Sequence, residues 1–111
     1  MRIIVYGSLR RKQGNSHWMT NAQWLGDHTI NGYELYDLGL YPGVIVGEGQ
    51  VQCEVYRIDA GTLGELDALR TKGGEYKRHL VHTPYGSAWL YLYQRSVTGK
   101  PRIDSGDWVS R

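Results

Sequence analysis

The sequence predicts an α+β domain built on a closed or strongly bent sheet. Three observations carry this. Fifteen glycines in 111 residues give a chain with many tight turns between short strands. No Phe is present, yet there are nine Tyr and four Trp; such side chains join an apolar body to a polar tip and suit half-buried sheet faces and pocket walls. One stretch, residues 62–70, carries a clear helical stripe, against about seven segments of strand character.

Taken in order, Ile3, Ile4, Val5 and Tyr6 read as a short buried strand that stops at Gly7. Glycine adopts backbone angles closed to other residues and lets a ligand approach the main chain. Ser8 then presents a hydroxyl and an N–H at the strand's mouth, where successive N–H donors can converge on an anionic group. An ordinary β-turn would use the same residues. Arg10, Arg11, Lys12 and Gln13 open a polar loop. Ser16 is placed to cap a short helix through Gln23, with Trp18, Ala22 and Leu25 on one face. Residues 24–30 read as extended, Asn31-Gly32 as a hairpin turn because both residues tolerate positive φ, and residues 33–38 as the answering strand. Tyr41-Pro42-Gly43 reads as a turn, with proline fixing the first φ. Residues 44–46 form a short apolar run closed by Gly47-Glu48-Gly49.

Val51, Cys53 and Val55 then alternate with Gln52, Glu54 and Tyr56, a period-two strand with one buried face. Cys53 is a small buried hydrophobe in that pattern. Asp59 or Thr62 caps the next helix, Thr62 having capping-box spacing to Glu65. Leu63, Leu66 and Leu69 or Arg70 form its stripe. The helix ends near Lys72, where Gly73-Gly74 follows. Residues 76–83 are a strand and Pro84-Tyr85-Gly86 a turn. Residues 87–94 are apolar on both faces, which marks a central strand covered on both sides. The tail is polar, with Trp108 as its one large apolar anchor.

A single domain spans 1–111. No apolar run is long enough to cross a bilayer, and residues 3–5 are too short for a signal-peptide core. The lone cysteine forms no internal disulfide, so a cytoplasmic location is expected. The formal charge is +2, and Arg10-Arg11-Lys12 is the sole basic cluster, read as a solvated loop. No nucleic-acid or membrane partner is expected from it. Metal is not expected either. His79 and His82 lie three apart on a strand and face opposite sides, His17 and His28 have no ligand partner at metal spacing, and one cysteine makes no zinc framework. No phosphate loop or dinucleotide fingerprint calls for a cofactor. Oligomeric state leaves no mark in the sequence.

One carboxylate stands out. Glu75 follows two glycines and precedes Tyr76, with Arg78 on the same strand face as Tyr76. A Glu held among tyrosines in a partly dry pocket has its pKa raised, as a general base near neutral pH requires. A solvated loop residue beside Lys72 and Lys77 is the plainer reading of the same position.

The run Tyr6-Gly7-Ser8-Leu9 behind a first strand resembles the signature of the gamma-glutamylcyclotransferase-like family. Tyr41-Pro42-Gly43, Gly49 with Val51, Glu54, Val55 and Tyr56, Leu66-Asp67 and Tyr76-Lys77-Arg78 follow in that family's order. The match runs from Ile3 to about Tyr93 and is similar to the short bacterial branch. The resemblance implies a mixed β-barrel of short strands flanked by a few helices, with a cavity at the barrel end. It implies that Tyr6, Gly7, Ser8 and Leu9 bind a small gamma-glutamyl substrate. It also implies cyclisation to 5-oxoproline with release of an amine or amino acid, a glutamate accepting the proton. One position departs: the family commonly reads Leu-Asp-x-x-Glu-Gly, and here Arg70 holds the Glu slot. Either Glu75 supplies the acid in a shifted loop register, with Asp67 a weaker substitute, or the fold is a non-catalytic binding module for a gamma-glutamyl or amino-acid metabolite.

Overall fold

The computed structural model describes residues 1–10 and 19–111. Five strands and one helix follow in order: β1 (Arg2–Val5), β2 (Gln23–Asp37), β3 (Pro42–Arg57), α1 (Ala60–Arg70), β4 (Tyr76–Thr83) and β5 (Gly86–Tyr93). They make one mixed sheet of order β2-β3-β1-β5-β4. Strand β1 runs parallel to β5, and every other neighbouring pair is antiparallel.

The shortest strand lies at the centre because it is apolar on both faces. Ile3 and Val5 point to the layer that holds Leu63 and Leu66 of α1. Ile4 and Tyr6 point to the other, with Val51, Val55, Leu90 and the tail residues Ile103 and Trp108. Strand β5 divides as its sequence predicts: Ala88 and Leu90 face the tail side, Trp89, Tyr91 and Tyr93 the helix side. Cys53 is buried, as its alternation predicts.

The α+β class holds, but the sheet does not close: among the described residues β2 and β4 remain edges. The barrel is an open, strongly bent sheet. Two long strands replace several of the short ones expected. A straight strand of 16 residues, the length of β3, would run about 53 Å. The longest dimension of the molecule is 36 Å, so β3 must curl. Its register sets Glu54 opposite Val5, yet its first residue, Pro42, lies against Gly7. The beginning of β3 therefore folds over the end of β1.

The Asn31-Gly32 step is not a hairpin turn. It lies inside β2, where the register against β3 slips between Asn31 and Tyr33 and Gly32 takes φ +86°. A bulge and a hairpin demand the same positive φ. Gly47-Glu48-Gly49 likewise runs through β3 instead of closing it, because side chains from β2 occupy the space: a Cβ on Gly47 would lie 2.4 Å from Glu34. The turn before β3 comes one step early, with Leu38 N–H donating to the Tyr41 carbonyl (3.1 Å) and Pro42 opening the strand.

Helix α1 is capped by Asp59, which accepts from the Thr62 N–H at 2.7 Å; Thr62 is inside the helix and buried. Leu63 and Leu66 are buried while Leu69 is exposed. Gly73 and Gly74 then take φ of 79° and 74°. The expected helix through Gln23 is not continued there, since Gln23 opens β2; its start at Ser16, with Trp18, lies outside the described residues. No helix is long and apolar enough to cross a membrane among the described residues.

Candidate functional site

At the end of β1 the chain turns sharply, Arg10 N–H donating to the Gly7 carbonyl at 3.0 Å. Ser8 and Leu9 occupy the crown, and such a turn leaves the N–H groups of its two central residues outside its own hydrogen bond. Gly7 is demanded by space: a Cβ there would lie 2.6 Å from Pro42 Cγ. Its φ is not among the positive ones, so the expectation of unusual angles is replaced by one of close approach. The first and second family motifs are thus pressed against each other by the curl of β3.

Beside this turn lies a cavity of about 20 Å³ lined by Tyr6, Gly7, Leu9, Pro42, Arg70, Tyr76 and Tyr91, with Ile4 and Val5. The enclosed part admits a group of water size; anything larger sits across the mouth. The three tyrosine hydroxyls are committed elsewhere. Tyr6 donates to the Tyr91 carbonyl (2.7 Å), Tyr76 to the Pro42 carbonyl (2.8 Å) and Tyr91 to Asp67 Oδ1 (2.8 Å). Burial pushes all three phenols far above their ordinary value, so they stay neutral donors.

Tyr6, Gly7 and Leu9 therefore line the cavity, and Ser8 meets it through Arg70, whose Nη2 donates to Ser8 Oγ at 3.5 Å. Glu75 stands one ring further out. Its backbone is fixed by Gln94 N–H donating to the Glu75 carbonyl (2.8 Å). Its Oε2 accepts from the Tyr41 hydroxyl at 3.3 Å, and the Tyr41 ring lies 6.2 Å from that of Tyr76. Desolvation, then the Glu75 charge, raise the Tyr41 pKa. Asp67 Oδ1 accepts from both the Tyr91 hydroxyl and Arg78 Nε, the latter at 3.2 Å. Arg70, at the last position of α1, is the one ionised side chain among the described lining residues. No group of three potential metal ligands gathers among the described residues.

Arg10 corrects the solvated-loop reading. Its Nε donates to Glu54 (3.2 Å) and its Nη1 to Asp107 (2.7 Å), while Tyr56 donates to the other Glu54 oxygen at 2.8 Å. Glu54 is buried at 3 % exposure, so the turn carrying Ser8 and Leu9 is anchored to β3 and to the tail. Arg11 and Lys12 lie outside the described residues. Neither this anchor nor the Tyr91–Asp67 bond had a local signal, since the partners lie 44, 97 and 24 residues away.

The gamma-glutamyl cyclotransferase, AIG2-like family model matches residues 3–110. The chain is 68 % identical over 111 residues to the gamma-glutamylcyclotransferase family protein YtfP of Escherichia coli K12, covering all of this chain and 98 % of that one. The solution NMR structure of ytfP from Escherichia coli superposes with a TM-score of 0.86 at 68 % identity, covering 100 % and 98 % of the two chains. The crystal structure of PH0828 from Pyrococcus horikoshii gives 0.89 at 34 % identity, covering 99 % and 91 %.

Proposed function

This chain belongs to the gamma-glutamyl cyclotransferase, AIG2-like family, and from that premise we propose that it cyclises a small gamma-glutamyl compound to 5-oxoproline. The observation that carries the reading is the cavity at the end of β1, where the turn of residues 7–10 faces Tyr76 and Tyr91. The glutamyl end binds at Gly7, Ser8 and Leu9. The substrate's α-amine attacks the γ-carbonyl carbon, the new C–N bond closes a five-membered lactam, and the bond to the leaving amine or amino acid breaks. Glu75 takes the proton of the attacking amine and returns it to the leaving nitrogen. To do so it must exchange its Tyr41 hydrogen bond for one to the substrate. Ring closure within one molecule needs little beyond a correct fold of the substrate and a base.

The test is to incubate the protein with a panel of gamma-glutamyl amines and amino acids and measure 5-oxoproline. Product is expected from at least one, with Glu75→Gln lowering turnover by about 10²-fold or more and leaving ligand affinity largely intact. No product from any compound, or full activity in Glu75→Gln, overturns the assignment.

A second reading, a binding module without turnover, is favoured by one observation: the described lining of the cavity includes Arg70 and no carboxylate. Thermal stabilisation by the same compounds without product would select it.

A further inference from the structure

We infer that Arg70 is a carboxylate clamp, so that this cavity takes ligands carrying a free carboxylate beside the group held by the Gly7–Ser8 turn. The inference rests on the cavity being the ligand site, and names the ligand chemistry it selects.

Among the described arginines Arg70 is the one that lines the cavity; like Arg2, Arg57 and Arg95, which bond a carbonyl or an amide oxygen, it meets no carboxylate among the described residues. Arg10, Arg78, Arg102 and Arg111 each meet a carboxylate within 4 Å. Arg70 makes no ion pair among the described residues; its contacts are the 3.5 Å hydrogen bond to Ser8 and two rings at about 6 Å, Tyr41 and Tyr76. A cation at the last helical position complements the helix dipole, which would account for its presence on the surface. It does not account for its direction, across the gap toward Ser8 and into the cavity lining. Because the tyrosine hydroxyls of the wall are spent, the unspent side-chain donors there belong to the guanidinium. Its planar fork matches two carboxylate oxygens, and it is less hydrated than an ammonium, so it gives up water more readily. The aromatic faces of Tyr41 and Tyr76 hold the fork without competing for its N–H groups. The enclosed volume suits one water-sized group such as a single carboxylate oxygen, with the remainder of the ligand at the mouth.

The experiment uses two probes of nearly equal shape, L-5-oxoproline and 2-pyrrolidinone, its analogue without the carboxylate. Affinity is measured by calorimetry on the wild-type chain, on Arg70→Gln and on Arg70→Lys. Wild type should bind 5-oxoproline about 10- to 100-fold more tightly than 2-pyrrolidinone, the usual worth of a charge-assisted pair. Arg70→Gln should erase the difference, and Arg70→Lys should restore only part of it. Equal affinity of the two probes for wild type, no binding of 5-oxoproline, or discrimination surviving in Arg70→Gln would each overturn the clamp. The wild-type comparison stands even where a variant folds poorly. The cyclisation reading fails separately: discrimination that depends on Arg70, with no 5-oxoproline formed from any gamma-glutamyl compound, keeps the clamp and removes the reaction. Turnover that Arg70→Gln leaves untouched, with the probes bound equally, does the reverse.

Discussion

Gly7 shows how one missing methyl group shapes the site. Alanine at this position would drive its Cβ to 2.6 Å and 2.9 Å from a proline ring that cannot rotate away. Gly7→Ala should cost about 1–3 kcal/mol, the usual penalty of forcing extra volume into a packed site, measured by urea unfolding. It should also weaken ligand binding, because the turn of residues 7–10 moves with it. Arg10 is the second decisive residue. Removing it by Arg10→Ala takes a cation from buried Glu54 and should destabilise by about 3 kcal/mol, by the same measurement. The Tyr6-Gly7-Ser8-Leu9 turn was legible because its signal is contiguous. Arg10 was not, since a basic triplet looks solvated until a carboxylate 97 residues away arrives beside it. Arg70 lies between these cases: its departure from the family pattern is visible in the sequence, while its direction is visible only in the fold.

Among the elements, α1 positions both Arg70 and Asp67, so its packing governs the site. Leu66 is fully buried in the layer beneath Tyr91, and Leu66→Ala should cost about 2–5 kcal/mol, read as a lower denaturation midpoint. The helix also gives an acid-limb prediction. The Thr62 backbone N–H holds the Asp59 carboxyl below its ordinary value. Burial pushes Asp107 up, but its hydrogen bonds from Arg10 and Val109 outweigh that and lower it. For both groups the folded pKa lies below the unfolded one. Their contribution is complete above the unfolded value, about 3.9, and is lost as pH falls through the folded one. Asp59→Asn keeps a good capping residue without the charge, so its unfolding midpoint should fall less steeply from pH 5 to pH 3 than that of wild type. Helix α1 and strands β4 and β5 were legible within about a residue or two, because capping and alternation are local. Asn31-Gly32 was not: its local chemistry fits a turn or a bulge, and a partner strand some 20 residues on decides between them.

For the whole molecule, the sheet order separates neighbours in sequence from neighbours in space. Strand β1 is flanked by β3, reached from 54–57, and by β5, reached from 89–90. Its turn is braced by Asp107 near the other end of the chain. Such pairings close long loops before they return any favourable contact, which slows folding. A ribosome delivers β1 before either partner, with β3 next and β5 well after it. Strand β1 can therefore be claimed on one side once β3 has emerged, while its other edge stays open until β5 follows. Binding competence should appear only once β5 has joined the sheet, and a product cut before β5 would offer chaperones and proteases an open hydrophobic strand edge instead of a partly working site.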